Sequence, residues 1–220
     1  MARLVRSIIV GRPHLVMQEG NYKQQVFDVE ADYLHYLGWL MEYANRYAVD
    51  MWAYCLMPNH IHMVCVPKTE TSLARTLNTL HMRYAQYFNG KRAVHGHLWR
   101  GRFMSCALDD RSVREEVRFI ENDPVRAGIV MRVEDYPWSS ARSHLKDETS
   151  WIQGCRPFLE GTTPNWKAYL EEEADVDVLG RTWRSLKTGR PSGDEVFVSG
   201  LERQVGRRLH ALPRGRPRKA

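Results

Sequence analysis

The order of apolar and polar positions divides the chain into runs with strand or helix periodicity. His14-Leu15-Val16-Met17 is the first strand candidate, followed by a polar turn at Glu19-Gly20-Asn21. Residues 31–48 are expected to form an amphipathic helix, because Tyr33, Leu37, Leu40, Ala44 and Tyr47 recur at spacings of four, three, four and three. Met51 to Leu56 reads as an apolar strand, and Pro58-Asn59 turns the chain into a strand from His60 to Val66. A second helix is expected from about Ser72 to Phe88, with the stripe Leu73, Leu77, Leu80, Tyr84 and Phe88. Gly90 to Gly101 reads as a basic loop and Phe103 to Leu108 as a strand. Ser112 with Glu115 forms a capping-box pattern that opens a third helix near Val113. That helix must end or bend at Asp123-Pro124, because proline lacks an amide donor and disfavours a helical residue before it.

Strand, helix, strand, strand, helix, strand, helix is the order of an α+β sandwich with helices packed on a mainly antiparallel sheet. The expected division is a catalytic-type domain over 1–145, a partly helical acidic connector over 146–193, and a basic helix and tail over 194–220. Within the last part, about 194–209 reads as a basic helix, and 212–220 as disordered in isolation.

A chain of 220 residues can bury one good core. No window approaches the roughly 18 apolar residues of a membrane span, and no secretory signal is expected. The four cysteines, Cys55, Cys65, Cys106 and Cys155, show no Cys-x-x-Cys spacing and read as buried free thiols of a reducing cytosol. Charge changes the picture more. Of 32 Lys/Arg and 26 Asp/Glu, residues 201–220 hold seven and one, which leaves 25 of each in the first 200. The net +6 therefore belongs to the tail. Such a tail suits a polyanion, whose neutralised phosphates release condensed counterions; simple solubilisation is the alternative.

The chemistry concentrates in Met57-Pro58-Asn59-His60-Ile61-His62-Met63-Val64-Cys65-Val66. Alternation puts His60 and His62 on one face of a strand, their Cα atoms roughly 7 Å apart, so that both imidazoles can converge on one ion. Ile61, Met63 and Cys65 form an apolar opposite face. One sheet face is then packed, and the other presents two nitrogen ligands near an edge. Few ligands leave positions open for water or phosphate oxygens.

Tyr54-Cys55-Leu56-Met57-Pro58-Asn59-His60-Ile61-His62-Met63-Val64 resembles the His-hydrophobic-His (HUH) signature of single-tyrosine transposases. Leu98-Trp99-Arg100-Gly101-Arg102-Phe103, Asn122-Asp123-Pro124-Val125-Arg126-Ala127-Gly128 and Asp135-Tyr136-Pro137-Trp138-Ser139-Ser140 follow in the family's order. Thr188-Gly189-Arg190-Pro191, Gly206-Arg207-Arg208-Leu209 and Gly215-Arg216-Pro217-Arg218-Lys219 resemble the extension of REP-associated tyrosine transposases. The resemblance spans nearly the whole chain. It implies an HUH, ferredoxin-like sandwich that binds single-stranded hairpin DNA of repetitive extragenic palindromes. It also implies Mg²⁺ or Mn²⁺ held by the histidines and a third polar ligand. A tyrosine then attacks the scissile phosphate and leaves a 5′-phosphotyrosine and a free 3′-hydroxyl. A cytoplasmic, nucleoid-associated bacterial protein follows, with a monomer favoured.

The family's nucleophile lies in Tyr-Ile-x-x-(Asn)-Pro-Val-Arg-Ala-Gly, and the residue here is Phe119, without a hydroxyl. Val113, Val117 and Ile120 make the apolar stripe of this helix, whereas Phe119 shares a face with Ser112, Glu115 and Glu116. Either it packs against the tail, or it points into a site facing the histidines. It reads either as an introduced Tyr-to-Phe exchange, the reading favoured, or as the mark of a natural binder of palindromic DNA that does not cut. Tyr84 and Tyr87, the nearest substitutes, fit a structural role better. Asp123, one turn after Phe119, is a third-ligand candidate and equally a helix N-cap before proline. Arg100 and Arg102 beside Trp99 pair phosphate-binding charge with either a stacking platform or a core residue. Arg216, Arg218 and Lys219 resemble an AT-hook core suited to a narrow minor groove. A metal hydrolase using a water nucleophile is the outlying reading, and it leaves the basic tail unused.

Overall fold

Strand alternation gives the sheet of this protein two unlike faces, and helices cover both. The computed structural model describes residues 7–146, 161, 163 and 165–211. Four strands, β1 (His14–Glu19), β2 (Val49–Met57), β3 (His60–Pro67) and β4 (Met104–Ala107), pair antiparallel in the order β2-β3-β1-β4. With α1 (Glu30–Arg46) after β1 and α2 (Ser72–Arg92) after β3, the chain follows the β-α-β-β-α-β plan of ferredoxin-like folds. Then come α3 (Asp110–Glu121), α4 (Asp123–Arg126), α5 (Ala141–Lys146), α6 (Trp166–Glu171), α7 (Val176–Thr188) and α8 (Glu195–Val205). This is the α+β architecture expected.

On one face Val16, Tyr54, Leu56, Ile61, Met63 and Cys65 pack under α1 and α2, whose Tyr36, Leu40, Leu77, Leu80, Tyr84 and Phe88 fill the layer. On the other, Leu15, Met17, Ala53, Cys55 and Val64 meet Val113, Val117 and Ile120 of α3. Strand β2 reaches both clusters in phase only because of an irregularity between Met51 and Ala53, opposite Cys65 and Val64, where Trp52 is the extra residue.

Three expectations change. Strand β3 is flanked by β2 and β1, so the histidine pair lies inside the sheet rather than near an edge. Helix α3 begins at Asp110 and its cap is Asp109, whose carboxylate accepts from the Ser112 amide at 2.8 Å. The Ser112–Glu115 box does not form, because Ser112 already lies in the first turn and Glu115 is engaged by Arg118 and Tyr169. Helix α2 continues to Arg92 and stops at Ala93, which is left-handed with φ 53°.

Downstream segments close both edges of the sheet, which removes free strand edges open to other chains. The Leu56 amide donates to the Trp138 carbonyl and the Ser140 amide to the Tyr54 carbonyl, each at 2.9 Å. At the far edge the Ser192 amide donates to the Ala107 carbonyl at 2.7 Å, and α7 lies against α3 and β4. Gly20, just after β1, has no room for a side chain: a Cβ there would sit 2.4 Å from the Gln24 carbonyl oxygen and 3.2 Å from that of Asn59. The loop after β1 is thereby held against the β2–β3 turn. Cys55, Cys65 and Cys106 are buried free thiols, while Cys155 and the tail residues Arg216, Arg218 and Lys219 lie outside the described residues. Among the described residues, no helix is long and apolar enough to cross a membrane.

Candidate metal centre

His60 opens β3 directly after the Pro58-Asn59 turn, and His62 follows on the same face, turned toward α3. Their rings meet edge-on with centroids 4.9 Å apart. Asp123 enters from the start of α4. Ligand atoms of His60, His62 and Asp123 all lie within 4.8 Å of one another, the one such group among the described residues.

The hydrogen bonds around His60 are informative. Its Nδ1 faces Asn59 Oδ1 at 2.7 Å and its Nε2 faces Asp123 Oδ2 at 3.0 Å. A neutral imidazole can donate to one of these oxygens only, and a cation held at Nε2 would satisfy the other. Asn59 fixes the ring by taking the Nδ1 proton, the usual job of a second-layer partner of a metal-ligating histidine.

His62 is 6% exposed, and neither ring nitrogen has a hydrogen-bond partner among the described residues. Burial, then the positive charge of His60, lowers its pKa to about 3. It is therefore a neutral imidazole with an uncommitted lone pair. Two unpartnered nitrogens buried side by side cost stability, which makes them a sign of function. Burial works to raise the Asp123 carboxyl, but the His60 hydrogen bond and the neighbouring positive charges outweigh it and hold it below the ordinary range. Two imidazoles and one carboxylate can hold a divalent ion that keeps open positions. Asp123 is not the cap: Asn122 precedes it in that place, and Pro124 follows at the start of α4.

Phe119 points toward the histidines, its ring centroid 6.4 Å from that of His62 and nearly parallel to it. Arg126 clamps it. The guanidinium lies 3.6 Å from the Phe119 ring centroid, donates to the Phe119 carbonyl at 2.5 Å, and reaches Asp123 Oδ1 at 2.6 Å. One arginine, two helical turns beyond Phe119, thus holds both the aromatic and the carboxylate. Tyr84 and Tyr87 are on the opposite side of the sheet, donating to the Val26 carbonyl and to Asp32. Neither can reach the centre.

The helix face that Phe119 shares with Glu115 and Glu116 is covered. Arg118, 3% exposed, binds Glu115 at 2.5 Å and stacks on Tyr169, whose hydroxyl donates to Glu115. Glu116 is buried, which pushes its carboxyl up to about 8. At the end of α3, Glu121 accepts from Ser140 at 2.5 Å and Trp166 Nε1 at 2.9 Å, and meets His144 Nδ1 at 2.5 Å. Sequence reasoning missed these groups and Asn59, although Asn59 lies inside the motif that singled out the histidines.

The arginines of the 98–103 loop divide. Arg100 is exposed and binds Glu19 Oε2 at 2.6 Å, and Glu19 pairs directly with His60 across β1 and β3. Arg102 is exposed on the α2 side of the sheet, where it lines a cavity. Trp99 is a core residue, 9% exposed, its indole donating to the His81 carbonyl at 3.0 Å.

Comparison with known proteins bears on this geometry. The family model described as "Transposase IS200 like" matches residues 11–123, which run from the loop before β1 through Asp123. A Haemophilus influenzae protein named as a REP-associated tyrosine transposase is 26% identical over 115 residues, or 47% of this chain. The match spans 65% of that relative's length. A REP-associated tyrosine transposase solved bound to a REP hairpin superposes with a TM-score of 0.53 at 18% identity, over 70% of this chain and 92% of that one. At that identity the likeness is one of fold.

Proposed function

The chain belongs to the family of IS200-like transposases, and from that premise we propose that it binds hairpin-forming single-stranded DNA of palindromic repeats and places one phosphate at His60, His62 and Asp123. The observation that carries this is the buried His62 with both nitrogens unpartnered, beside His60 and Asp123 and facing the Phe119 ring. The hairpin bound to the solved neighbour of like fold supports the substrate class.

A bound Mg²⁺ or Mn²⁺ would supply Lewis-acid polarisation of a phosphate oxygen. The rest falls to side chains. Asn59 orients His60, burial keeps His62 neutral and ready to ligate, and Asp123 supplies negative charge. Arg126 fixes the ring at 119 over the centre. A tyrosine hydroxyl at that place would attack phosphorus, break its bond to the 3′ oxygen, and leave a 5′-phosphotyrosine and a 3′-hydroxyl. Phe119 has no oxygen with which to do so, and the chain as it stands binds without cutting. The stacking of Arg126 on Phe119 also fits a natural non-cutting reader of palindromes. In either form it acts on DNA in the cytoplasm, at the nucleoid, as a monomer, with Arg100, Arg102 and the tail residues Arg216, Arg218 and Lys219 on the DNA backbone.

Hairpin oligonucleotides incubated with Mg²⁺ or Mn²⁺ test the reading. This chain should retard a hairpin without covalent adduct, and Phe119→Tyr should form an adduct that survives denaturing electrophoresis. An adduct with the unchanged chain would place the nucleophile elsewhere.

A further inference from the structure

A cavity of about 490 Å³ opens on the sheet face opposite the metal centre, between the end of β1, α2 and residues 96–103. Gln18, Asn78, His81, Met82, Trp99 and Arg102 are among its lining residues. Its size falls in the range of about 300–1,000 Å³ typical of small-molecule pockets, enough for a nucleotide. Position links it to the centre. Gln18 pairs with Ile61 and shares that residue's face, while the next residue, Glu19, pairs with His60. One step along β1 therefore leads from the cavity wall to the metal side.

We propose that this cavity receives an unpaired nucleobase of the same DNA strand whose phosphate lies at His60, His62 and Asp123; the proposal rests on the functional reading above. Four observations carry it. Gln18 is 2% exposed, and its Oε1 has no hydrogen-bond partner among the described residues, while its Nε2 donates to the Glu19 carbonyl at 3.1 Å. A buried acceptor left unmatched at a cavity wall calls for a ligand donor. The N–H donors of the Watson–Crick edge stand at different positions in the four bases, so one fixed acceptor tells them apart, and that edge is free only when the base is unpaired. The aromatic wall, with His81 and Trp99 ring centroids 4.9 Å apart, suits a flat ring.

Charge lies along the same path. Arg100 stands on the metal side of the 98–103 loop and Arg102 on the cavity side, so phosphates running around the strand end pass from one to the other. Beside the cavity residue Asn21, Tyr22 is 94% exposed and held in left-handed backbone with φ 51°. A large side chain is kept there at a conformational cost, in solvent, as a stacking surface for an adjoining base.

Methyl NMR of the full chain labelled at methionine, titrated with the four homopolymeric deoxyoctanucleotides, tests this. The Met82 methyl, assigned by Met82→Leu, sits at the exposed part of the wall, 59% exposed. It should shift, with affinities that differ among the four bases by about tenfold or more, the scale of one hydrogen bond. Gln18→Leu should level those differences, whereas Arg102→Ala should weaken all four alike. If Gln18→Leu fails to fold, Met82→Glu on the surface gives the second arm and should abolish the base preference. Octamers that bind without moving Met82, or that show the same base preference with Gln18→Leu or Met82→Glu as without, overturn the cavity proposal and leave the functional reading standing. Absence of binding by any octamer or hairpin overturns both.

Discussion

The two faces of the sheet use burial for different ends. Under α1 and α2 the interior is apolar and aromatic, and apart from Gln18 Oε1 at the cavity wall its polar groups find partners within the layer: the Tyr84 hydroxyl donates to the Val26 carbonyl at 2.5 Å, and Tyr36 shares a hydrogen bond with His81 at 3.0 Å. Under α3 the interior holds His62, Glu115, Glu116, Arg118 and Glu121, all under 9% exposed. The first face supplies stability through apolar area removed from water. The second spends part of that stability on groups that would be better solvated, and in return positions an aromatic, a carboxylate and two imidazoles around one point.

That contrast can be broken by substitution. The largest effect belongs to the apolar face. Leu80→Ala, at a position 0% exposed, should lower unfolding free energy by about 2–5 kcal/mol in a denaturant titration and leave metal affinity of the folded protein unchanged. A comparable loss of metal affinity would mean that the faces are not separable.

On the α3 face the signature is pH dependence. The Glu116 carboxyl is raised to about 8 from an ordinary 4.5, first by burial. The folded state then holds a proton that the unfolded chain has lost, so its contribution is full below about 4.5 and declines up to about 8. The slope is at most about 1.4 kcal/mol per pH unit, less with relaxation. Glu116→Gln should remove the decline, and its advantage over the unchanged chain should grow across that window in thermal melts. A constant difference would contradict a protonated Glu116.

The smallest stability effect has the opposite sign to the first. His62→Leu deletes two unpartnered buried nitrogens and should raise unfolding free energy by about 1 kcal/mol. A clear loss of stability would show that His62 is held by packing rather than kept for a ligand.

The apolar face was legible in the sequence because periodicity reports burial: every residue of the stripe Leu73, Leu77, Leu80, Tyr84 and Phe88 is buried. The histidine pair was legible because strand alternation fixes a shared face. Partners drawn from distant segments were not. Glu115 reads as half of a capping box until Tyr169, 54 residues on, reaches it. Glu121 gives no sign in the sequence of the three side chains that meet it. The same blindness placed β3 near an edge, since strand order depends on β1 and β4 pairing across most of the domain. Asp123 stood between cap and ligand; Asn122 takes the cap position, and the Asp123 carboxylate lies 3.0 Å from His60 Nε2.

Mn²⁺ binding to the unchanged chain, followed by electron paramagnetic resonance, tests the central claim most directly. One ion should bind per chain. Removal of an orienting partner, Asn59→Ala, should weaken it by about tenfold or more. Replacing His60, His62 or Asp123 singly with alanine should weaken it further, by at least about 100-fold. Binding that survives all three replacements, or no binding at all, would contradict a metal centre on the α3 face of this sheet.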